Sequence, residues 1–85
     1  MNKLYTLLEI LKSNYINYDY ISDIWTDTVQ LDAIDYESMP ADLKAYLAEN
    51  ADKTEEGTTE SIYYITLDED WLDLIVEIYY DPDLR

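Results

Sequence analysis

Leu72-Asp73-Leu74-Ile75-Val76-Glu77-Ile78-Tyr79-Tyr80 admits two periods, and the choice between them decides the fold. On a helix, Trp71, Leu74, Ile75, Ile78 and Tyr79 share one face, and Thr66 with Glu69 has the form of a capping box ahead of it. On a strand, Leu72, Leu74, Val76, Ile78 and Tyr80 alternate against Asp73, Ile75, Glu77 and Tyr79. Two considerations favour the strand. Ile, Val and paired Tyr pack better on a pleated surface than on a helix. The run at 61–67, Ser-Ile-Tyr-Tyr-Ile-Thr-Leu, also reads as a strand and needs a neighbour. Asp81-Pro82-Asp83 then ends the element, because Pro82 has no N–H for a ladder.

Working outward, Leu4, Leu7, Leu8 and Leu11 recur at helical spacing, with Asn14 as the stop, so 2–13 is expected to be an amphipathic helix. Residues 18–25, rich in Tyr and Ile, and the alternating run 28–34 read as strands joined through Thr26-Asp27. Pro40 suits a first helical turn, and Leu43, Tyr46, Leu47 and Ala51 continue a helical face to about residue 51. The segment from Asp52 to Ser61 holds the lone glycine, Gly57, and four acids, and reads as an exposed loop. The order becomes a loose helix–hairpin–helix–hairpin repeat. The expectation is a single α+β domain over residues 1–85: a small antiparallel sheet of about four strands with two helices packed on one face.

Charge is the second decisive feature. Twenty acids face five bases, a net −15, against a magnitude of roughly 2–8 that suffices to keep a small domain soluble. No base lies between Lys12 and Lys44, or between Lys53 and Arg85, and these two stretches hold seven and ten of the twenty acids. A surface laced with salt bridges would mix its signs. Either a solubilising surface or a cationic partner accounts for such blocks, and repulsion on this scale favours the partner. The 48% apolar fraction, with ten Tyr and two Trp, sets the chain apart from an acidic disordered tail. Leu4–Leu11 is interrupted by Tyr5, Thr6 and Glu9 and has no small-residue cleavage site, so a cytoplasmic protein without a leader is expected. The absence of Cys suits a reducing compartment.

Without His or Cys, carboxylates, tyrosines, four lysines and one arginine remain as possible catalysts. Close acid pairs arise by chance among twenty acids, so no enzyme is expected. One glycine cannot build a phosphate-cradling loop. Asp68-Glu69-Asp70, followed by Asp73, lacks the glycine and terminal Glu of a calcium loop. Asp19, Asp23 and Asp27 recur every four residues without a Lys or His to complete a nuclease-like centre. No metal and no cofactor are expected.

Binding nucleic acid needs Lys and Arg, and this surface would repel phosphates. The inverse arrangement works. Carboxylates at i and i+2 of a strand lie about 6.6 Å apart, close to the ~6.8 Å of two base-pair rises. On this reading Asp68 with Asp70, or Asp73 with Glu77, stand where alternate phosphates would. Arginines of a partner would meet them bidentately. In Tyr63-Tyr64 and Tyr79-Tyr80, each pair puts one ring on each face of its strand; Tyr64 and Tyr80 are taken as the outward anchors. The candidate partner-binding residues are therefore Asp19, Asp23, Asp27, Asp32, Asp35, Asp68, Glu69, Asp70, Asp73, Glu77, Tyr64 and Tyr80.

A small, cysteine-free, Tyr-rich chain with unneutralised Asp/Glu blocks resembles the DNA-mimic inhibitors of phages and mobile elements. These include anti-CRISPR proteins, anti-restriction proteins and uracil-DNA glycosylase inhibitors. The resemblance lies in size and charge over the whole chain and carries no residue from one family to another. It implies stoichiometric inhibition without turnover, in the host cytoplasm if phage-encoded. The implied target is a basic nucleic-acid-binding protein, first a CRISPR effector with its cationic channel and PAM-reading arginines, then a restriction or DNA-repair enzyme. The competing reading is an acidic adaptor or antitoxin-like module that binds a basic protein without mimicking DNA.

Overall fold

The computed structural model describes residues 3–34, 39–67 and 73–80, with the side chains of 32–34 excluded. The elements run α1 (Lys3–Ser13), β1 (Tyr18–Ser22), β2 (Thr26–Ile34), α2 (Ala41–Asn50), β3 (Lys53–Glu56), β4 (Glu60–Thr66) and β5 (Asp73–Tyr80). The α+β class and the two helices are as expected, and residues 73–80 take the strand alternative. The sheet differs from the expectation in two respects. It has five strands in the order β1-β2-β5-β4-β3, and β2 pairs with β5 in parallel while the other pairs are antiparallel. The parallel pair is possible because α2 and the β3–β4 hairpin lie between those strands in sequence, a connection long enough to return the chain to the starting edge.

The fifth strand, β3, lies in the segment that reads as a loop. All four of its residues are exposed. An edge strand of this kind contributes backbone hydrogen bonds and no apolar side chain, so no hydrophobic period betrays it. Gly57 then closes the β3–β4 turn, where a Cβ would lie 2.8 Å from the Glu60 carbonyl oxygen.

β5 is central, with β2 on one side and β4 on the other. Leu74, Val76, Ile78 and Tyr80 are buried on one of its faces. They join Val29 and Leu31 of β2, Ile65 of β4, Leu4, Leu7 and Leu11 of α1, and Leu43 and Leu47 of α2 in one core. Both helices thus cover the same face of the sheet, and the alternation of β5 matches one face packed and one face open.

The helices are fastened where side chains meet backbone. α1 ends in a Schellman arrangement: Ile16 N donates to Leu11 O at 2.9 Å and Tyr15 N to Lys12 O at 3.1 Å. Tyr15 takes φ 58°, the left-handed region, and Ile16 turns back onto the core. Asn14 Nδ2 donates to Ile10 O (2.8 Å) and to the Asp42 carboxylate (3.0 and 3.1 Å), tying the end of α1 to the start of α2. Pro40 occupies the N-cap itself, one position before the first turn, with φ −56° and ψ 141°. Tyr46 Oη donates to Lys3 O at 2.5 Å, and burial raises its pKa.

Candidate protein interface

Strand register places specific side chains on the face that the helices leave uncovered. One row across the sheet runs Asp19, Gln30, Glu77, Ile62, Glu55. The adjacent row runs Ile21, Thr28, Ile75, Tyr64, Lys53. Beyond it Thr26, Asp73 and Thr66 align, and at the opposite end Glu60 stands beside Tyr79. With strands spaced about 4.8 Å, Asp19, Glu77 and Glu55 follow one another at steps of about 10 Å, roughly three base-pair rises. The adjacent stripe carries Ile21, Ile75 and Tyr64 together with Thr28 and Lys53. The open face is therefore a line of spaced carboxylates beside a band of Ile and Tyr.

Positive charge on this face is confined, among the described residues, to Lys53. Its Nζ lies 3.3 Å from Glu55 Oε1 and 5.4 Å from the centroid of the Tyr64 ring. This is the one ion pair among the described residues, and both side chains are well exposed, so it contributes little stability. Among the described residues, the acids in these rows have no cation beside them apart from Lys53, and Lys3 reaches only the end of β4, its Nζ donating to Thr66 O at 3.2 Å.

Several carboxylates are held by local hydrogen bonds. Tyr79 Oη donates to Glu77 Oε2 at 2.6 Å. That bond, with burial and the charges of Glu77 and Glu60, pushes the Tyr79 phenol up to about 12. Asp52 Oδ2 accepts from Thr66 N (2.9 Å) and Thr66 Oγ1 (2.7 Å). Those bonds, aided by the charge of Lys3, lower the Asp52 pKa. Asp23 Oδ1 accepts from Ile24 N at 2.7 Å, and Asp23 N donates to Thr26 O at 3.1 Å. This closes the β1–β2 hairpin over Ile24-Trp25. The hairpin link is therefore Ile24-Trp25 rather than Thr26-Asp27: the backbone bond from Asp23 N to Thr26 O closes the turn, and the Asp23 carboxylate accepts from Ile24 N within it.

The candidate residues divide accordingly. Asp19, Asp73, Glu77 and Tyr64 lie on the open face, and Asp23 sits exposed at the hairpin turn. Tyr80 is not an outward anchor. It is 4% exposed on the helix side, and its Oη bonds Ser61 Oγ at 3.0 Å. Its alternation with Leu74, Val76 and Ile78 already grouped it with the most apolar set, so the outward ring of the pair is Tyr79. Asp27 is 7% exposed on the core face, in register with Leu74, and is not available to a partner. Asp73 and Glu77 share a face but stand four residues apart with Ile75 between them. Their separation along the strand is about 13 Å, twice the expected spacing. Asp35, Asp68, Glu69 and Asp70 lie outside the described residues, as does the side chain of Asp32.

Glu55, Glu60, Ile62, Ile75 and Tyr79 are the open-face residues that sequence reasoning missed. Tyr79, Ile75 and Ile62 were accessible from strand parity. Glu55 and Glu60 depend on recognising β3 and its pairing. Among the described residues no group of three or more potential ligands is arranged to hold a metal ion. No protein-family model, curated protein or solved structure matches this chain.

Proposed function

We propose that this protein is a stoichiometric inhibitor that presents carboxylates in place of nucleic-acid phosphates and occupies a basic groove of a defence nuclease. The observation that carries this reading is the open sheet face, with Asp19, Glu77 and Glu55 in one row, Tyr64 and Ile75 beside them, and Lys53 as the sole cation among its described residues. Such a face repels phosphate and attracts guanidinium and ammonium groups, which carboxylates bind bidentately or as point charges. Tyr64 and Tyr79 add flat aromatic area for stacking on arginine. Net charge of this size also speeds encounter with a cationic target at low salt. Inhibition of this kind involves no turnover.

A CRISPR effector is the first target, with restriction and DNA-repair enzymes next. The test is a competition assay on representatives of each, with wild type and the triple variant Asp19→Asn, Glu77→Gln, Glu55→Gln. Mimicry requires wild type to displace DNA or guide RNA from one of them and the variant to lose at least tenfold in potency. If the captured enzyme retains its nucleic acid while bound, the chain is an adaptor. The exposed apolar hairpin tip is the feature that favours that second reading.

A further inference from the structure

We infer that the β1–β2 hairpin tip is an apolar anchor for a protein partner whose receiving pocket is itself apolar and rimmed by Lys or Arg. Ile24 and Trp25 occupy a two-residue turn, where Gly, Asn and Asp satisfy the backbone best and large apolar groups bring no conformational gain. Here Asp23 flanks the turn, its carboxylate accepting from Ile24 N and its N–H bonding Thr26 O, so the backbone is held without Gly, Asn or Asp at the two turn positions. They are 78% and 55% exposed, and Ile21 on the same hairpin is 51% exposed. A protruding Trp with two Ile on a small domain is the composition of an interface anchor.

The charge around the tip selects the occupant. Asp23 adjoins it in sequence, Asp19 follows Ile21 on the same face of β1, and Asp73 N donates to Trp25 O at 3.2 Å. All three acids are exposed. An anionic membrane or a nucleic acid would bring its own negative charge against this ring. A second copy docked tip to tip would bring the same three aspartates together. A protein pocket with an apolar floor and a basic rim satisfies both the apolar centre and its acidic border. This inference does not rest on phosphate mimicry, since Glu55 and Glu77 play no part in it.

The test uses two fluorescein-labelled peptides followed by anisotropy: an amphipathic helix with a Leu face bordered by Arg, and nona-arginine. Wild type should bind the amphipathic peptide more tightly than nona-arginine. Trp25→Ala and Ile24→Ser, both at exposed positions, should weaken the amphipathic peptide by about 30-fold and about 5-fold at low and high salt alike. Neither should change binding of nona-arginine. Neutralising Asp19, Asp23 and Asp73 should weaken both peptides at low salt only. The inference is overturned if Trp25→Ala and Ile24→Ser leave the amphipathic peptide unchanged. It is also overturned if sedimentation shows a dimer that Trp25→Ala dissolves, or if phosphatidylglycerol vesicles bind wild type through Trp25. Failure of the Asp19, Glu77, Glu55 variant to lose inhibition would count against mimicry and leave the anchor standing.

Discussion

Raising the ionic strength from about 10 mM to about 150 mM should stabilise this fold strongly, because the Debye length falls from about 30 Å to about 8 Å. The radius of gyration of 12.4 Å corresponds to a sphere of radius about 16 Å, over which a charge of −15 is spread. In water its self-repulsion is about 19 kcal/mol at the lower salt and about 10 kcal/mol at the higher. The unfolded chain, with a radius of gyration of about 29 Å, carries only about 6 and 2 kcal/mol. Salt therefore relieves at most about 5 kcal/mol of folding penalty. Counter-ion binding to exposed carboxylates already removes part of this, so a gain of about 2–4 kcal/mol is expected. At 4–8 °C per kcal/mol for a domain of this size, the midpoint should rise by about 8–30 °C. Thermal melts followed by circular dichroism in NaF and in NaCl measure it. The two salts should agree, and the rise should flatten above about 200 mM. A midpoint that moves by less than about 2 °C would refute the premise that the acids on this surface are unneutralised.

Four further outcomes follow from particular contacts. Tyr80→Phe or Ser61→Ala should each cost about 1–2 kcal/mol in denaturant unfolding, and the double variant less than the sum, because both single changes remove the same buried hydrogen bond. The Tyr79 phenol, raised from 10.0 to about 12, contributes stability that is complete below pH 10 and is lost as pH rises through 12. The tyrosinate absorbance difference between wild type and Tyr79→Phe should show one late ionisation, which Glu77→Gln brings down. Asp52, whose folded pKa is lowered from 3.8, contributes stability that is present above that value and lost as pH falls through the folded pKa. Its carboxylate NMR shift should titrate below the usual aspartate range, and Thr66→Val should raise the midpoint part of the way back, since the Thr66 backbone N–H and Lys3 still favour the carboxylate. Tyr15→Gly should stabilise by about 1 kcal/mol in the same unfolding assay, because φ 58° burdens a Cβ-bearing residue and not glycine, and the Tyr15 side chain is 94% exposed; no gain would refute backbone strain at this position.

The strands were legible to different degrees for physical reasons. β5 is central and buried on one side, so its parity is written in Leu74, Val76, Ile78 and Tyr80. β3 is an edge strand with every residue exposed, and only its hydrogen bonds to β4 mark it. The candidate site divided along the same line. Acids on strands with a clear apolar period, such as Glu77 and Asp73, were placed on the open face by parity alone. Asp27 looks like another exposed acid in sequence, yet its register beside Leu74 puts it on the core side.

The helices and the base-free acidic blocks can be read along the chain, whereas residues 73–80 carry both a helical and a strand period and their β-branched content only tips the choice. Each of these is a local or additive property of the residues. Which acids share a surface is fixed by the pairing of the strands. Neighbours across a sheet are set by strand order and register. The parallel pairing of β2 with β5 brings Gln30 beside Glu77 and so puts Asp19 in line with Glu55, 36 positions further along the chain. No spacing along the chain encodes that line of carboxylates.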